Sequence, residues 1–509
     1  MNLNKTLLWI KNNSLSISLI FGLISFVILV AIKIKASISY HPDISGSEGS
    51  SIAPIQLLVD GNAIYRDPEN APFRLTQYTP LYFYMVAFFC KLANWHAAEV
   101  HKIYLASRFF SNIFTILSVS VAGLLVYKVT KKKIAGILAA LYIFHVLSFW
   151  FLTTSRPDSL LVLLTAIFIY TVYYALNDTG NKYWWYVAIF IAVSAFFVKQ
   201  SGAILSISLG LFWIMKEQWK TLFTLTAFGI AVFGIYMLLL PINRVDLFFL
   251  NIIGGVANSA SWGWFYDWTL QHWLLQFAPL IVVNVVVSAY ILYYRPSDFY
   301  LFLTLCCFMF FLFSTTTAFK IGAGVGYYQD YLLTAVVQIT LFTCDAPNRH
   351  IFNNGFLKSA LSLYLVLAFI HCTLFIFMKY DASSNENFVS HYIEERKVSE
   401  YLYQDKKLKE NEWVYVCPGA GEGSFGGFLL NHFLVKNVLI PFADLVYLAD
   451  RNGTFNYDKF RSMVRKKEIK YVISKKGSVP VNILNYDFGN TLKYNSTIGS
   501  FDIYEANKL

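Results

Sequence analysis

Apolar residues run along this chain in long uninterrupted blocks, and polar positions gather in short segments between them. A hydrocarbon core roughly 30 Å thick takes about 20 apolar residues for one helical crossing, so blocks of this kind predict transmembrane helices. Read in order, they predict about eleven spans, near residues 14–33, 104–127, 134–152, 159–176, 183–198, 202–215, 221–241, 272–293, 299–316, 329–343 and 356–378. The sixth and tenth are short, which suits tilted or partly re-entrant helices. The first follows Lys5 and Lys11, exceeds a signal-peptide core and lacks a small-residue cleavage site. It reads as an uncleaved signal anchor.

Two polar regions interrupt the pattern. The first is a long loop, about 34–103, with an apolar stretch from Leu81 to Leu92. That stretch is short for a crossing and is expected to lie in the interface; the alternative is a twelfth span. The second begins near residue 383. Tyr392–Lys406 has a helical pattern, Trp413–Cys417, Val438–Ile440 and Tyr471–Ser474 read as strands, and Tyr457–Lys467 reads as a helix between the last two. The expected architecture is an all-α polytopic membrane bundle over 1–382, carrying the loop 34–103, followed by a small α/β domain over 383–509. No internal repeat is visible at solenoid periods.

Charge orients the bundle. With the N-terminus in the cytoplasm, the inner loops receive Lys128 with Lys131, Lys132 and Lys133, then Lys182, Lys216, Lys220, Arg295 and Arg349; the short outer loops receive Arg156, Lys199, Arg244 and Lys320. The bias follows the positive-inside rule. An odd span count then places the long loop and the C-terminal domain together on the extracytoplasmic side of a cell membrane. Composition agrees: 57% of residues are hydrophobic, only 14% are charged, and the formal net charge is +11. The basic excess lies between apolar blocks, so it reads as membrane orientation and not as a nucleic-acid surface. Six cysteines show neither a disulfide framework nor C-x-x-C spacing, and no ligand spacing demands a metal, although the first loop has acids enough for a divalent ion.

The outer junctions carry the candidate chemistry. Asp43 and Glu48 lie just beyond the first span, where a carboxylate can serve as a general base. The segment SRPDS holds Arg156 and Asp158, VKQSG holds Lys199, and AFKIGAGVGYYQDY holds Lys320, Tyr327, Tyr328 and Asp330. Each basic group alone reads equally well as a snorkelling anchor, and each acid as a solvated loop residue. Together they put acids and bases at one membrane level, which suits binding of an anionic lipid head group and activation of a hydroxyl.

The loop from Gly46 to Met85 resembles the first extracytoplasmic loop of glycosyltransferases similar to the dolichyl-phosphate-mannose protein mannosyltransferases. These have the GT-C fold, and the bacterial aminoarabinose lipid A transferases are relatives. The matching positions are Glu48, Gly61, Tyr65, Tyr78, Pro80, Leu81 and Tyr82, followed by Arg156 and Asp158 after the third span and by Lys320, Gly322, Tyr327 and Tyr328 late in the bundle. The chain departs from the pattern at Ser47, where relatives often carry the first of two acids. The resemblance implies an inverting glycosyltransferase that uses a polyprenyl-phosphate sugar as donor and a lipid, glycan or protein as acceptor. Glu48 would be the leading base with Asp43 in play. Arg156, Asp158, Lys199, Lys320, Tyr327 and Tyr328 would hold the donor.

One motif points elsewhere. Gly421, Gly423 and Gly426 match G-x-G-x-x-G after a strand, with Asp444 some way on. The expected extracytoplasmic placement argues against a dinucleotide and for a plain turn or an acceptor-facing loop. Sequons at Asn452 and Asn495 are too short to be informative. The rival functions are a transporter or flippase for lipid-linked glycans, and a polymerase or ligase acting on them. A transporter is expected to carry charges near the midplane, whereas the ionisable groups read here gather at one face.

Overall fold

The computed structural model of the protein describes residues 3–44, 48–149, 155–178, 181–240, 242, 244–295, 297–344, 355–384, 388–417, 429–484, 488 and 491–507. The glycine-rich segment with Gly421, Gly423 and Gly426, and Ser47 in the first loop, lie outside them.

Helices occupy all eleven predicted stretches. In lipid every backbone N–H and C=O must be satisfied within its own segment, and helix formation does this. Among the described residues six helices are long and apolar enough to cross a bilayer: Asn13–Ser37, Val100–Thr130, Asp158–Asn177, Trp219–Leu239, Asp298–Ala318 and Ser359–Tyr380. Lys133–Ser148, Tyr183–Val198 and Gln329–Cys344 have 16 residues each, about 24 Å of helix. The predicted span at 272–293 is broken. Its helix starts at Ala278, and the preceding helical segment Trp262–Leu274 meets it at 84°. Pro279 stands in the first turn of the second helix, where its missing N–H is tolerated but cannot continue the helix before it. Leu81–Leu92 is a helix of 12 residues, about 18 Å, short of a crossing.

The chain's contacts divide it into two compact units. One comprises Met1–Ala36, Phe110–Leu239 and Ala260–Ala382; the other comprises Ser37–Phe109, Leu240–Ser259 and Ser383–Leu509. In the first, the chain reverses at Lys199 between Tyr183–Val198 and Ala203–Met215. Gly202 makes this reversal possible: a Cβ there would lie 2.2 Å from the Ala195 carbonyl group, so no larger residue fits the turn.

The second unit contains a five-stranded sheet, β1 (Trp413–Val416), β2 (Val438–Leu439), β3 (Ile469–Lys475), β4 (Leu492–Ile498) and β5 (Phe501–Ala506), in the order β2-β1-β3-β5-β4. β1 is parallel to β2 and β3, while β5 is antiparallel to β3 and β4. Alternation along the strands gives the sheet two buried faces. Tyr415, Leu439 and Val472 belong to one core, and Val414, Val416, Val438, Tyr471 and Ile473 to the other. The hairpin β4–β5 and the helix Ala443–Arg451 are additions to the sequence expectation. Gly499, at φ +55°, makes the hairpin turn.

The long loop packs into this unit. Phe73 and Leu75 enter the first core, the Ile440 N–H donates to the Pro72 carbonyl at 3.0 Å, and the Arg74 guanidinium donates to the Val435 carbonyl at 2.6 Å. Gln56, from the helix Gly49–Val59, donates to the carbonyls of Ala97 and His432.

Candidate active site

Each unit carries a buried ionic centre among the described residues. In the second unit the centre is built around Glu48, whose side chain is fully buried. Glu48 stands at the N-cap of the helix Gly49–Val59, yet its side chain makes no capping bond. It turns to Arg108 instead: Nη2 lies 2.5 Å from Oε2, and Nε lies 3.4 Å from Oε1. Arg108 is also fully buried and spends its remaining donors on the carbonyls of Ser39, at 3.0 Å, and His41, at 2.7 Å. Its guanidinium lies 4.9 Å from the Tyr104 ring centre. The ion pair therefore ties the entry of the first loop to the start of the helix Val100–Thr130. The Ile44 N–H donates to Glu48 Oε2 at 3.1 Å, which tightens the same loop.

Asp43 sits at the rim of this arrangement, half-buried. Its Oδ1 accepts the Glu48 N–H at 3.1 Å, and its own N–H donates to His41 Nδ1 at 3.0 Å. Burial first, and the Arg108 charge second, push the His41 imidazole down to about 4. It is neutral at physiological pH and acts as an acceptor. The tyrosines of the first-loop pattern build the loop: Tyr65 donates to the Tyr78 carbonyl at 2.9 Å, and Tyr82 donates to the Ser107 carbonyl at 3.1 Å.

The first unit brings most of the predicted donor-binding residues together. Lys199 Nζ lies 2.7 Å from Asp158 Oδ1, and Arg156 Nε lies 3.3 Å from Asp158 Oδ2, with all three side chains nearly or fully withdrawn from solvent. Lys199 also stands over the Tyr327 ring, 4.3 Å from its centre. Asp330 accepts the Thr165 hydroxyl at 2.6 Å. Lys320 is partly buried and has no ion-pair partner among the described residues. Burial and then the nearby Lys199 charge lower its ammonium to about 8. With Asp158 and Asp330 both ionised, the three cations Arg156, Lys199 and Lys320 still leave an excess of positive charge. Tyr328 has a different setting. It is fully buried, its ring lies 4.2 Å from that of Trp273, and its hydroxyl donates to Thr315 at 3.2 Å.

Sequence reasoning missed Arg108. The signal was present, since an arginine inside a predicted span is costly unless paired. Asp444, the distant acid of the glycine motif, begins the helix Ala443–Arg451, and burial raises its carboxyl above the usual range. Among the described residues no group of three or more His, Cys, Asp or Glu side chains is placed to hold a metal ion.

Residues 78–242, about a third of the chain, match the family described as dolichyl-phosphate-mannose-protein mannosyltransferase. No curated protein matches the chain in sequence. Among solved structures, ArnT from Cupriavidus metallidurans bound to undecaprenyl phosphate superposes with a TM-score of 0.57 at 10% identity, over 94% of this chain and 97% of that one. The Archaeoglobus fulgidus oligosaccharyltransferase AglB, in complex with an inhibitory peptide and a dolichol-phosphate, gives a TM-score of 0.59 at 12% identity, over 92% of this chain and 70% of that one. By its architecture the chain is a polytopic membrane protein with the GT-C fold that it shares with ArnT and the archaeal oligosaccharyltransferase, and its residues 78–242 resemble the protein mannosyltransferase family.

Proposed function

We propose that this chain is a membrane glycosyltransferase that moves a sugar from a polyprenyl-phosphate donor to a lipid, glycan or protein acceptor on the extracytoplasmic face. One observation carries the reading: the partly buried Lys320 ammonium has no ion-pair partner among the described residues and feels the charge of Lys199, which is itself held by Asp158. A cation kept from solvent without a carboxylate partner suits an anion that arrives with the substrate. A lipid phosphate is such an anion, and the two superposed proteins carry undecaprenyl phosphate and dolichol-phosphate.

In this reading the acceptor oxygen attacks the anomeric carbon and the lipid phosphate leaves with the bonding electrons. Lys320 and Lys199 stabilise the charge that grows on the departing phosphate. Asp158 fixes Lys199 and Arg156 in place. The two carboxylates of the first loop divide the remaining work. Glu48, fully buried and paired with Arg108, positions the loop. Asp43, half-buried at the rim, takes the acceptor proton. The base role that the resemblance implied for Glu48 thus passes to Asp43, because the Glu48 carboxylate is fully buried and already bound to Arg108, whereas Asp43 is half-buried at the rim.

The test is a transfer assay with the full chain in lipid nanodiscs. A polyprenyl-phosphate sugar is expected to be consumed and a soluble nucleotide sugar to be left untouched. Asp43→Asn is expected to slow transfer by about 10²–10⁴-fold, the usual cost of losing a general base. Turnover of the nucleotide sugar alone would overturn the reading, and an active Asp43→Asn would return the base role to Glu48.

A further inference from the structure

The second unit holds a cleft of about 500 Å³ that the transfer chemistry above does not use. Volumes of this order are typical of small-molecule sites. The start of the helix Val100–Thr130 lies on one side, and the helix Phe388–Glu400 with its continuation Tyr401–Asp405 lies on the other.

Its wall chemistry is specific in two ways. The charges come as pre-formed pairs, Glu99 with Lys102 at 2.5 Å and Arg396 with Glu400 at 2.8 Å. Each of these side chains is between a third and three-fifths exposed, so its free donors and acceptors face the cleft or solvent. Paired charges leave no net field to favour an anion or a cation, yet they offer many hydrogen-bonding positions. The second feature is aromatic. Tyr40 and His101 stack at 3.8 Å, Tyr392 meets Tyr40 edge-on at 4.9 Å, and Tyr403 is more than a third exposed, with its hydroxyl fixed on Asn437 at 2.8 Å. A ligand that satisfies both features is neutral, rich in hydroxyls and bounded by C–H faces that pack on aromatic rings.

From this we infer that the cleft is a binding subsite for a neutral sugar ring of the acceptor. Its position supports the acceptor side. Tyr40 is three residues from Asp43, at most about 11 Å along the chain. The intervening His41 is held by Arg108 through its carbonyl and by Asp43 through its ring. A sugar seated at Tyr40 would place its neighbouring residue within reach of Asp43. Only the acceptor assignment rests on the transferase reading; the sugar-binding assignment rests on the cleft.

Saturation-transfer NMR on the full chain in nanodiscs, without lipid donor, tests it. The probes are the methyl glycosides of mannose, glucose, galactose and N-acetylglucosamine, with glucose 6-phosphate as the anionic comparator. At least one neutral glycoside is expected to bind. Arg396→Gln, at a side chain more than half exposed and expected to keep the wild-type unfolding midpoint, and Tyr403→Ala are each expected to weaken it by about fivefold to tenfold. Glucose 6-phosphate is expected to bind no more tightly than methyl glucoside. The inference fails if none of the four glycosides binds, if binding is unchanged in both variants, or if the phosphorylated sugar is strongly preferred. Glycoside binding without any transfer from a polyprenyl-phosphate sugar would retire the transferase reading and leave the cleft standing. Transfer without glycoside binding would do the reverse.

Discussion

Arg108→Met is the most revealing perturbation of the first loop. The guanidinium is fully buried, pairs with the equally buried Glu48 and donates to two backbone carbonyls. Methionine fills the stem volume and removes every donor. Breaking a buried pair from one side costs about 3–5 kcal/mol, because the other charge stays behind in a poorly solvating site. The carbonyls of Ser39 and His41 each add a desolvation cost of order 1 kcal/mol. A total of about 5–7 kcal/mol is comparable to the whole stability of many domains. For a unit of this size each kcal/mol moves the unfolding midpoint by about 2–4 °C, so the expected drop is about 10–28 °C. Glu48→Gln leaves Arg108 with its two carbonyls and an amide oxygen, and about half that drop is expected. The double variant is the decisive member. Once Arg108 is methionine, removing the Glu48 charge removes the uncompensated ion, so Glu48→Gln with Arg108→Met should be more stable than Arg108→Met alone. Tryptophan-fluorescence melting in nanodiscs reads all three midpoints. A double variant that loses the sum of the two single losses, or an Arg108→Met within about 2 °C of wild type, would refute the buried-pair account.

Three further outcomes are expected. Lys320→Ala should lower turnover by about 10²–10³-fold; because the folded Lys320 titrates near 8, transfer should also fall as pH rises through that value, a limb that steady-state rates of the alanine variant should lack. Burial and then the Arg74 charge push His432 down to about 3, with its ring between Gln56 and Tyr104; the folded state then binds fewer protons than the unfolded state below about 6.5, so stability should decline as pH falls from there toward 3, and melting curves of His432→Asn should lack that share of the decline. Reporters at Asn62 and Asn452, both in the second unit, should be accessible from the extracytoplasmic side together, and labelling of only one of them from outside would contradict that topology.

Much of this protein was legible in one dimension because the bilayer simplifies the reading. A crossing helix must satisfy its own backbone and must be apolar along its length, so block length alone placed a helix in each of the eleven predicted spans, while it passed over Trp262–Leu274 and Ala443–Arg451. Alternation found β1, β2 and β3, since buried strands with Val and Tyr in sequence leave a period-two trace. It passed over β4, whose exposed Lys493, Tyr494 and Thr497 break the alternation. The acids and bases at the outer junctions were equally visible, because ionic groups stand out against apolar blocks.

The partnerships among those groups belong to the tertiary structure. Glu48 and Arg108 are sixty residues apart, and no local spacing marks them as a pair. Nor does any spacing separate Asp43 from Glu48, yet packing buries one carboxylate against a cation and leaves the other at the rim. Lys199 and Lys320 read alike as outer lysines; the fold hands Asp158 to the first and gives the second no ion-pair partner among the described residues. Residue type and hydrophobic period determined where the helices lie and which groups are ionic. Which charge is neutralised by which partner depends on distances of a few ångström across the fold, where the local dielectric decides whether a group is spent on stability or kept for chemistry.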